Sequence, residues 1–222
     1  VVIKMITTAK VPEKELHTTI HSEAEQYIPY DIDDVNIDYQ ILGKSEFSMD
    51  QMNVLLVAVK KDLVAEYIDL LALAGLTPKI IDVDTFALQN IYEVLPGSDT
   101  EAVTLLVDVG ASKTSLNILK GKSSLMMRDN VSGTNQIIEE LSDALDISSE
   151  EADNMVTSGD NNPEESKTLS EIRQRVANAW CSEICEVVHT FQSSSNEDKV
   201  QKIVLSGGGG FLEGFSDCLK SE

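Results

Sequence analysis

A short polar segment that follows an apolar run carries most of the chain's potential for chemistry. After VTLLV come Asp108, Val109, Gly110, Ala111, Ser112, Lys113 and Thr114. A carboxylate at the end of a buried strand is costly unless it holds a metal, a water or hydrogen bonds. Glycine lets the backbone turn tightly and approach a ligand, and hydroxyls, one cation and free amides are what a phosphate requires. The segment therefore indicates either a phosphate-binding turn or a plain polar β-hairpin.

A second glycine turn separates the apolar run KIVLS from a predicted helix, and it contains Gly207, Gly208, Gly209 and Gly210. Bare backbone of this kind lets a nucleotide ring or a phosphate lie close to the chain, and a helix N-terminus favours anions. The alternative is a flexible linker, but glycine linkers normally lie among serine and other polar residues. The apolar neighbours on both sides favour a binding turn.

Neither glycine turn matches a better-known nucleotide motif. A P-loop needs a glycine directly before the lysine of its GK[ST] end, whereas Ser112 precedes Lys113. A dinucleotide fingerprint that starts at Gly207 would need a glycine where Leu212 stands. We therefore expect neither a P-loop enzyme nor a dinucleotide-binding oxidoreductase.

Two other groups resemble metal ligands but favour a plainer interpretation. Cys181, Cys185 and His189 recur every four residues on one predicted helix. The helical rise separates the first from the last by about 12 Å, so the three cannot share one zinc ion, whose ligands lie at about 2.0–2.3 Å. Asp82 and Asp84 could chelate magnesium, but Asp84 is better explained as the cap of the helix that follows it.

The elements that must position these residues follow from the apolar spacing. Period-two alternation and apolar runs predict strands at 1–9, 35–41, 53–60, 79–83, 103–109, 115–119, 124–131 and 202–205. Apolar residues at steps of three and four predict helices, which begin near Pro12 and Pro163 and also cover 62–74, 85–92 and the region around Ile137 and Leu141. Ser148 and Glu151 predict a capping box for one further helix. The chain is thus expected to be a mixed α/β protein.

Composition suggests two parts and excludes several classes of partner. The turn-forming residues at 96–99 read as a linker, which predicts a small α+β subdomain at 1–81, a linking segment at 82–98 and a second lobe at 99–222. The formal net charge of -21 disfavours nucleic acid and anionic lipid. No apolar run reaches the length of a membrane span, and three cysteines imply no disulfide framework. Val1-Val2-Ile3-Lys4 reads as the middle of a strand, so we expect upstream sequence.

Several segments together resemble one family. LLVDVGASKTSLNIL and LMMRDNVSGTNQIIEEL look like the second phosphate motif and following helix of actin-like ATPases, and IVLSGGGGFLEGF is similar to their adenosine motif. The segments EAEQYIPY and DTFALQN resemble the PilM family, the FtsA-related actin-like components of type IV pilus machines. The resemblance covers nearly the whole chain. It implies an actin-like (ribonuclease H-like) fold in which residues 1–81 form a small strand–helix–strand–strand subdomain.

The resemblance also implies a function. PilM-like proteins bind ATP with magnesium between two lobes and grip the short cytoplasmic tail of PilN. They are thereby linked to PilO and to the motor platform, while separate ATPases power fibre assembly. For this chain it implies a cytoplasmic scaffold at the inner membrane, with at most weak ATPase activity in the full-length protein, no nucleic-acid partner, no membrane insertion of its own, and scope for self-association.

The resemblance assigns roles residue by residue. Asp108, Gly110, Ala111, Ser112, Lys113 and Thr114 would face the phosphates, with Asp108 near the magnesium, and Gly207, Gly208, Gly209 and Gly210 would face the adenosine. Asp153 falls where the family has an acidic ribose contact, and Gly133 precedes the helix of the phosphate motif. The chain departs from the pattern in three ways. Val156 replaces the usual lysine, Ser132 replaces one of a glycine pair, and the first phosphate motif is absent from these residues.

Two other functions compete with the scaffold. An actin-like ATPase or kinase-like phosphotransferase would use Asp108 to orient water or magnesium, but no convincing general base lies near the glycine turns in the sequence. A cell-division adaptor of the FtsA type would carry an amphipathic membrane helix, and no such helix stands before Glu222. The FtsA pattern also fits these segments less well than the PilM pattern.

Overall fold

The computed structural model of the chain describes residues 1–44, 48, 50–95, 101–121, 123–158, 162–195 and 199–221. Contacts divide it into two compact units, Val1–Val83 and Asp84–Glu222. Helix 84–94, which the sequence placed in a linking segment, therefore packs within the second unit. The predicted linker at 96–99 lies outside the described residues.

The first unit is a three-stranded antiparallel sheet with one helix on one face. Its elements are β1 (Val2–Ala9), α1 (Glu13–Ala24), a 3₁₀ turn (Ile32–Asp34), β2 (Val35–Lys44), β3 (Gln51–Lys60) and α2 (Lys61–Leu73). The strand order is β1-β3-β2. The alternation of β3 buries every second side chain, among them Val54 and Leu56, against the stripe on α1 that includes Leu16 and Ile20. The strand–helix–strand–strand order predicted from the sequence is confirmed.

The end of the first unit differs from the sequence prediction. No residue of α2 is buried, and Leu73 is 88% exposed even though the helix is rich in leucine. The strand predicted at 79–83 does not form, and that prediction was wrong. A strand requires a neighbour to complete its hydrogen bonds, and in the described residues no strand pairs with this segment, whose Ile80 is 85% exposed.

The second unit is a four-stranded sheet with helices on both faces. Its elements are α3 (Asp84–Val94), β4 (Val103–Val109), β5 (Thr114–Lys120), β6 (Ser123–Asn130), α4 (Asn135–Leu145), α5 (Ser149–Ser158), α6 (Pro163–Ser194), β7 (Lys202–Ser206), a 3₁₀ turn (Gly208–Phe211) and α7 (Phe215–Ser221). The strand order is β6-β5-β4-β7, with β4, β5 and β6 antiparallel and β7 parallel to β4. The mixed α/β class predicted from the sequence is confirmed.

The core of the second unit lies between the sheet and its helices. Alternate residues of β4, such as Leu105 and Val107, face α4 to α7, while Leu106 faces α3 beside Tyr92. Trp180 of α6 is fully buried and contacts the ring of Phe215 edge to face, with the ring centroids 5.7 Å apart. This packing holds α7, and with it the turn that follows β7, against α6.

Helix caps explain where two of the outer helices begin. Ser148 and Glu151 form the predicted capping box at the start of α5, which is confirmed. Pro163 opens α6 as predicted, with Asn162 and Glu165 forming a second capping box. None of the helices in the described part of the chain combines the length and apolarity needed to cross a bilayer.

Candidate functional site

The two glycine turns are brought together by strand pairing. β4 and β7 run parallel, and Asp108 pairs with Ser206 in their register. The segments that follow both strands therefore leave the sheet at the same edge and side by side. In open α/β sheets, ligands bind in the crevice beyond the carboxyl ends of such strands. The sheet edge at Asp108 and Ser206 is thus the candidate site.

Two of the four consecutive glycines are required by close packing. Gly207 has φ +76°, and a Cβ atom on it would lie 2.3 Å from the carbonyl oxygen of Val109. A Cβ atom on Gly209 would lie 2.3 Å from Cγ1 of Val109 and 3.1 Å from the Trp180 ring. Gly208 faces open space, and a Cβ on Gly210 would make only ordinary contacts with Leu205. Gly207 and Gly209 therefore pack against the core of the second unit, whereas Gly208 faces open space.

The turn after β4 is a tight hairpin connection with free amides at its tip. The Gly110 amide donates to the carbonyl of Lys113 at 2.9 Å. Within the described residues the amides of Ala111 and Ser112 have no acceptor, and neither have those of Gly208 and Gly209 in the other turn. Successive free amides in turns form concavities that bind anions. Each of the two turns therefore presents a pair of donors at the same sheet edge.

The start of α4 is fixed against the first turn. The amides of Thr134 and Asn135 donate to the carbonyls of Gly110 and Ala111 at 3.0 and 2.8 Å. A Cβ atom on Gly133 would lie 2.5 Å from the carbonyl oxygen of Ala111, so only glycine fits there. Gly133, predicted as a site residue, thus lies beside the turn.

A row of polar side chains crosses the sheet below the turns. Cross-strand pairing places Ser206, Asp108, Ser115 and Asp129 side by side on the four strands. Ser115 is buried, and its hydroxyl has no partner among the described residues. Asp108 is half-buried and lies against the second turn, since a Cβ on Gly207 would be 2.8 Å from its Oδ1. This row is the polar floor of the candidate site.

Lys113 does not point freely into the site. Its ammonium lies 2.7 Å from Oδ2 of Asp84, at the start of α3, and 3.4 Å from Oδ2 of Asp129. Burial alone would raise the pKa of the Asp84 carboxyl, but the hydrogen bonds from Lys113 and Thr85 bring it below its ordinary value. Burial alone would lower the pKa of Lys113, and the two carboxylates raise it instead. Asp84 and Lys113 are therefore both charged at neutral pH.

Thr114 and the end of β6 form a second polar network. The buried Thr114 hydroxyl donates to the carbonyl of Ser132 at 2.8 Å. Oε2 of Glu183, on α6, accepts from the Asn130 amide group at 3.1 Å and from the Ser132 hydroxyl at 3.0 Å. These bonds tie the segment between β6 and α4 to both β5 and α6. The Thr114 hydroxyl thus holds the backbone at Ser132, and its contact with phosphates stays a prediction.

Asp153 lies apart from the hydrogen-bond networks of both turns. It is exposed on α5, where its backbone carbonyl accepts from the Thr157 hydroxyl. In the described part of the chain no hydrogen bond or ion pair joins it to either turn. The predicted residues that the structure groups at one sheet edge are Asp108, Gly110, Ala111, Ser112, Lys113, Thr114, Gly133, Gly207, Gly208, Gly209 and Gly210.

Sequence reasoning missed Asp84, Asp129 and Glu183 as residues of this site. Asp84 was weighed as a magnesium ligand and favoured as a helix cap. In the structure α3 begins at Asp84 itself, whose Oδ1 accepts from the Thr85 amide at 2.8 Å. The one usable signal was Asp129, which the predicted hairpin places on the strand next to the turn. Glu183 has no local signal, because its partners Asn130 and Ser132 lie about fifty residues earlier.

We looked for side chains placed to bind a metal ion in the described residues. They contain no group of three or more acidic, histidine or cysteine side chains arranged to hold an ion. Cys181 is buried and Cys185 is half-buried on α6, while His189 is exposed. Asp108 as a contact for magnesium stays a prediction.

The comparison with known proteins agrees with the resemblance. The family model for type IV pilus assembly protein PilM matches residues 1–222. A chain in the structure of a PilM–PilN type IV pilus biogenesis complex is 25% identical, with a TM-score of 0.78, and the match covers 99% of this chain and 64% of that one. The chain thus spans less than two thirds of the length of that PilM structure.

Two weaker likenesses were also found. Ethanolamine utilization protein EutJ from Carboxydothermus hydrogenoformans is 14% identical over 82% of this chain and 81% of its own, with a TM-score of 0.43. An archaeal actin homologue is 16% identical over 60% of this chain and 45% of its own, with a TM-score of 0.45. The full-length family match is the stronger finding: this chain belongs to the PilM family of type IV pilus assembly proteins.

Proposed function

We propose that the chain is part of a cytoplasmic scaffold of the type IV pilus assembly platform, which binds ATP with magnesium and docks the cytoplasmic tail of PilN. Family membership supports the pilus role. The observation that carries the nucleotide role is the meeting of two amide-bearing turns beyond the paired ends of β4 and β7. The protein's own part in pilus assembly is then to hold partners in place, with ATP turnover far below the rates of kinases.

The residues present fit a nucleotide. The paired amides at Ala111 and Ser112 suit the phosphates, because adjacent free N–H groups bind anions. The open side of Gly208 leaves room for the adenosine against bare backbone. Asp108 has side-chain oxygens at the sheet edge, and magnesium prefers oxygen ligands. Bound magnesium would neutralise phosphate charge there, while Gly133 and Thr114 keep the phosphate turn in position.

Asp153 is the proposed ribose contact. It is exposed on α5, and an exposed side-chain carboxyl group can accept hydrogen bonds from sugar hydroxyls. Replacing Asp153 with asparagine should therefore weaken ATP binding but not the binding of inorganic tripolyphosphate.

The proposed PilN site is in the first unit. β1 and β2 are the edges of its sheet, and an extended peptide can add to an edge or lie across an open face. The face opposite α1 carries apolar side chains that are only half-buried, among them Leu55 and Val57, together with the exposed Met5. Through PilN the scaffold would lie at the inner membrane beside PilO and the motor platform.

The nucleotide proposal is tested with the intact protein by calorimetric titration of ATP with magnesium. We expect saturable binding that Gly208→Ala weakens strongly, because the added methyl would occupy space proposed for the adenosine. That variant should fold normally, since nothing lies within 4 Å of the new atom. Unchanged affinity in a folded Gly208→Ala protein would show that the nucleotide does not use this turn.

The partner proposal is tested with a peptide that carries the PilN cytoplasmic tail. We expect saturable binding to the intact protein, weakened by Met5→Asp on the open face of the sheet. Thr18→Asp, on the exposed side of α1, is the matched control and should have no effect. Equal affinities for wild type and Met5→Asp would exclude this face as the docking surface.

A further inference from the structure

Lys113 lies within the proposed phosphate turn, yet acidic side chains already hold its ammonium. One nitrogen serves both Asp84 at 2.7 Å and Asp129 at 3.4 Å. The three side chains are 43%, 49% and 58% exposed, respectively. Exposed ion pairs of this kind are weak. The arrangement is therefore one from which the lysine can be withdrawn at little cost.

The charge of this group matters for an anionic ligand. Two carboxylates and one ammonium leave a net negative charge beside the free amides of Ala111 and Ser112. That charge repels a polyphosphate unless the cation turns toward it. A lysine ammonium is a compact charge with three donors on a flexible stem, which suits such a change of partner.

Both carboxylates tolerate the loss of the lysine. Asp84 keeps its hydrogen bonds from the Thr85 amide at 2.8 Å and from the Thr85 hydroxyl at 3.3 Å. Asp129 is the more exposed of the two and can be solvated by water. Neither oxygen would become a buried unpaired charge, which is the expensive case.

We propose that Lys113 exchanges partners when a polyphosphate enters the turn. Its ammonium then releases Asp84 and Asp129 and donates to the phosphate oxygens. This inference rests on the proposed function, because it requires a phosphate ligand at residues 110–113. It assigns the two carboxylates a role as competitors that weaken binding. In the empty turn the lysine is then held by the two carboxylates, and ligand binding frees the start of α3 from its ion pair with Lys113.

The test is a double-mutant cycle in the intact protein, with binding of ATP and of inorganic tripolyphosphate measured by calorimetry. Asp84→Asn and Asp129→Asn should each tighten binding about two- to five-fold, because each removes a competitor for the lysine. Lys113→Met should weaken binding about tenfold. Asp143→Asn on α4, where the carboxylate is exposed, is the control for a general loss of negative charge.

The decisive comparison is Asp84→Asn in the Lys113→Met background. In that background the gain in affinity from Asp84→Asn should be no larger than the gain from Asp143→Asn, because no lysine remains to be released. An equal gain in both backgrounds would overturn the exchange, as would weaker binding in Asp84→Asn. If ATP binds no more tightly than tripolyphosphate, the glycine turn at 207–210 does not bind adenosine, whereas the proposed exchange of partners by Lys113 is unaffected. If neither ligand binds the wild type, both proposals fall.

Discussion

Gly207 lies directly against Asp108: a methyl group on the glycine would be 2.8 Å from the aspartate Oδ1 and 2.3 Å from the carbonyl oxygen of the next residue, Val109. Asp108 lies near the end of β4, just before the first turn, and Gly207 lies in the second turn, so their contact holds the two turns together. A substitution in one turn is therefore expected to disturb the other. The four glycines differ in this respect, which allows folding and ligand binding to be separated.

Gly207→Ala should destabilise the protein by about 2–4 kcal/mol, since the new atom meets fixed backbone and the left-handed conformation at φ +76° is strained for alanine. Gly208→Ala should change the free energy of unfolding by less than about 0.5 kcal/mol, because it meets open space. Urea unfolding followed by circular dichroism checks both. Similar losses in the two variants would contradict the packing described for Gly207.

Glu183→Ala should loosen the segment that leads from β6 into α4. The substitution leaves the Asn130 amide group and the Ser132 hydroxyl without their acceptor, at a cost of about 1–3 kcal/mol. Hydrogen exchange measured by mass spectrometry should show faster exchange at residues 130–135. Glu186→Ala, exposed on the same helix, is the control and should leave exchange there unchanged.

The ion pair between Asp84 and Lys113 should give a defined pH dependence. The pKa of Asp84 is lowered, so its contribution to stability is complete above its ordinary value of 3.8 and is lost as the pH falls through the lower folded-state pKa. The pKa of Lys113 is raised, so its contribution is complete below 10.5 and is lost as the pH rises through the higher folded-state pKa.

The measurement is a carboxyl titration of Asp84 by NMR in wild type and in Lys113→Met. We expect the pKa of Asp84 to be below 3.8 in wild type and to rise when the lysine is removed. The associated stability should be no more than about 1 kcal/mol, because both side chains are substantially exposed. An unchanged Asp84 titration in Lys113→Met would show that the pair does not form in solution.

Cys181 should resist alkylation in the native protein. Burial chiefly, followed by hydrogen bonding to the Cys218 and Cys185 thiols, raises the pKa of the Cys181 thiol far above its ordinary value of 9.0. The reactive thiolate is therefore scarce as well as shielded. Iodoacetamide labelling with peptide mass mapping should find Cys181 modified in urea and protected without it. Equal labelling rates in the two conditions would contradict the burial of this side chain.

The sequence predicted those elements that carry their own pattern. The alternation from Val35 to Ile41 and the helical stripe from Leu169 to Phe191 depend on neighbours in the chain, and both are found. The strand at 79–83 failed because a strand needs a pairing partner, which local composition does not provide. α2 shows the same limit in another way, since the helix predicted at 62–74 forms, yet the composition of this strongly apolar segment does not show that none of its residues is buried.

The candidate site was predictable only in part, for the same physical reason. Asp108 and the glycines stand out because their residue types are unusual directly after apolar strands. The carboxylates that hold Lys113 come from α3 and β6, 29 residues before it and 16 residues after it. Only the packing of these elements reveals that the lysine is already paired.

The pairing of β7 with β4 also has a consequence for the order of folding. Val103 and Gln201, hydrogen-bonded beside this pair of strands, are 98 residues apart in the chain. Contacts of such long range are the slow ones to form. During synthesis, the hairpin turn after β4 can form early, but the glycine turn at 207–210 cannot lie beside it until β7 has been made and has joined the sheet. Ligand affinity at the paired turns would therefore appear only after β7 has paired with β4.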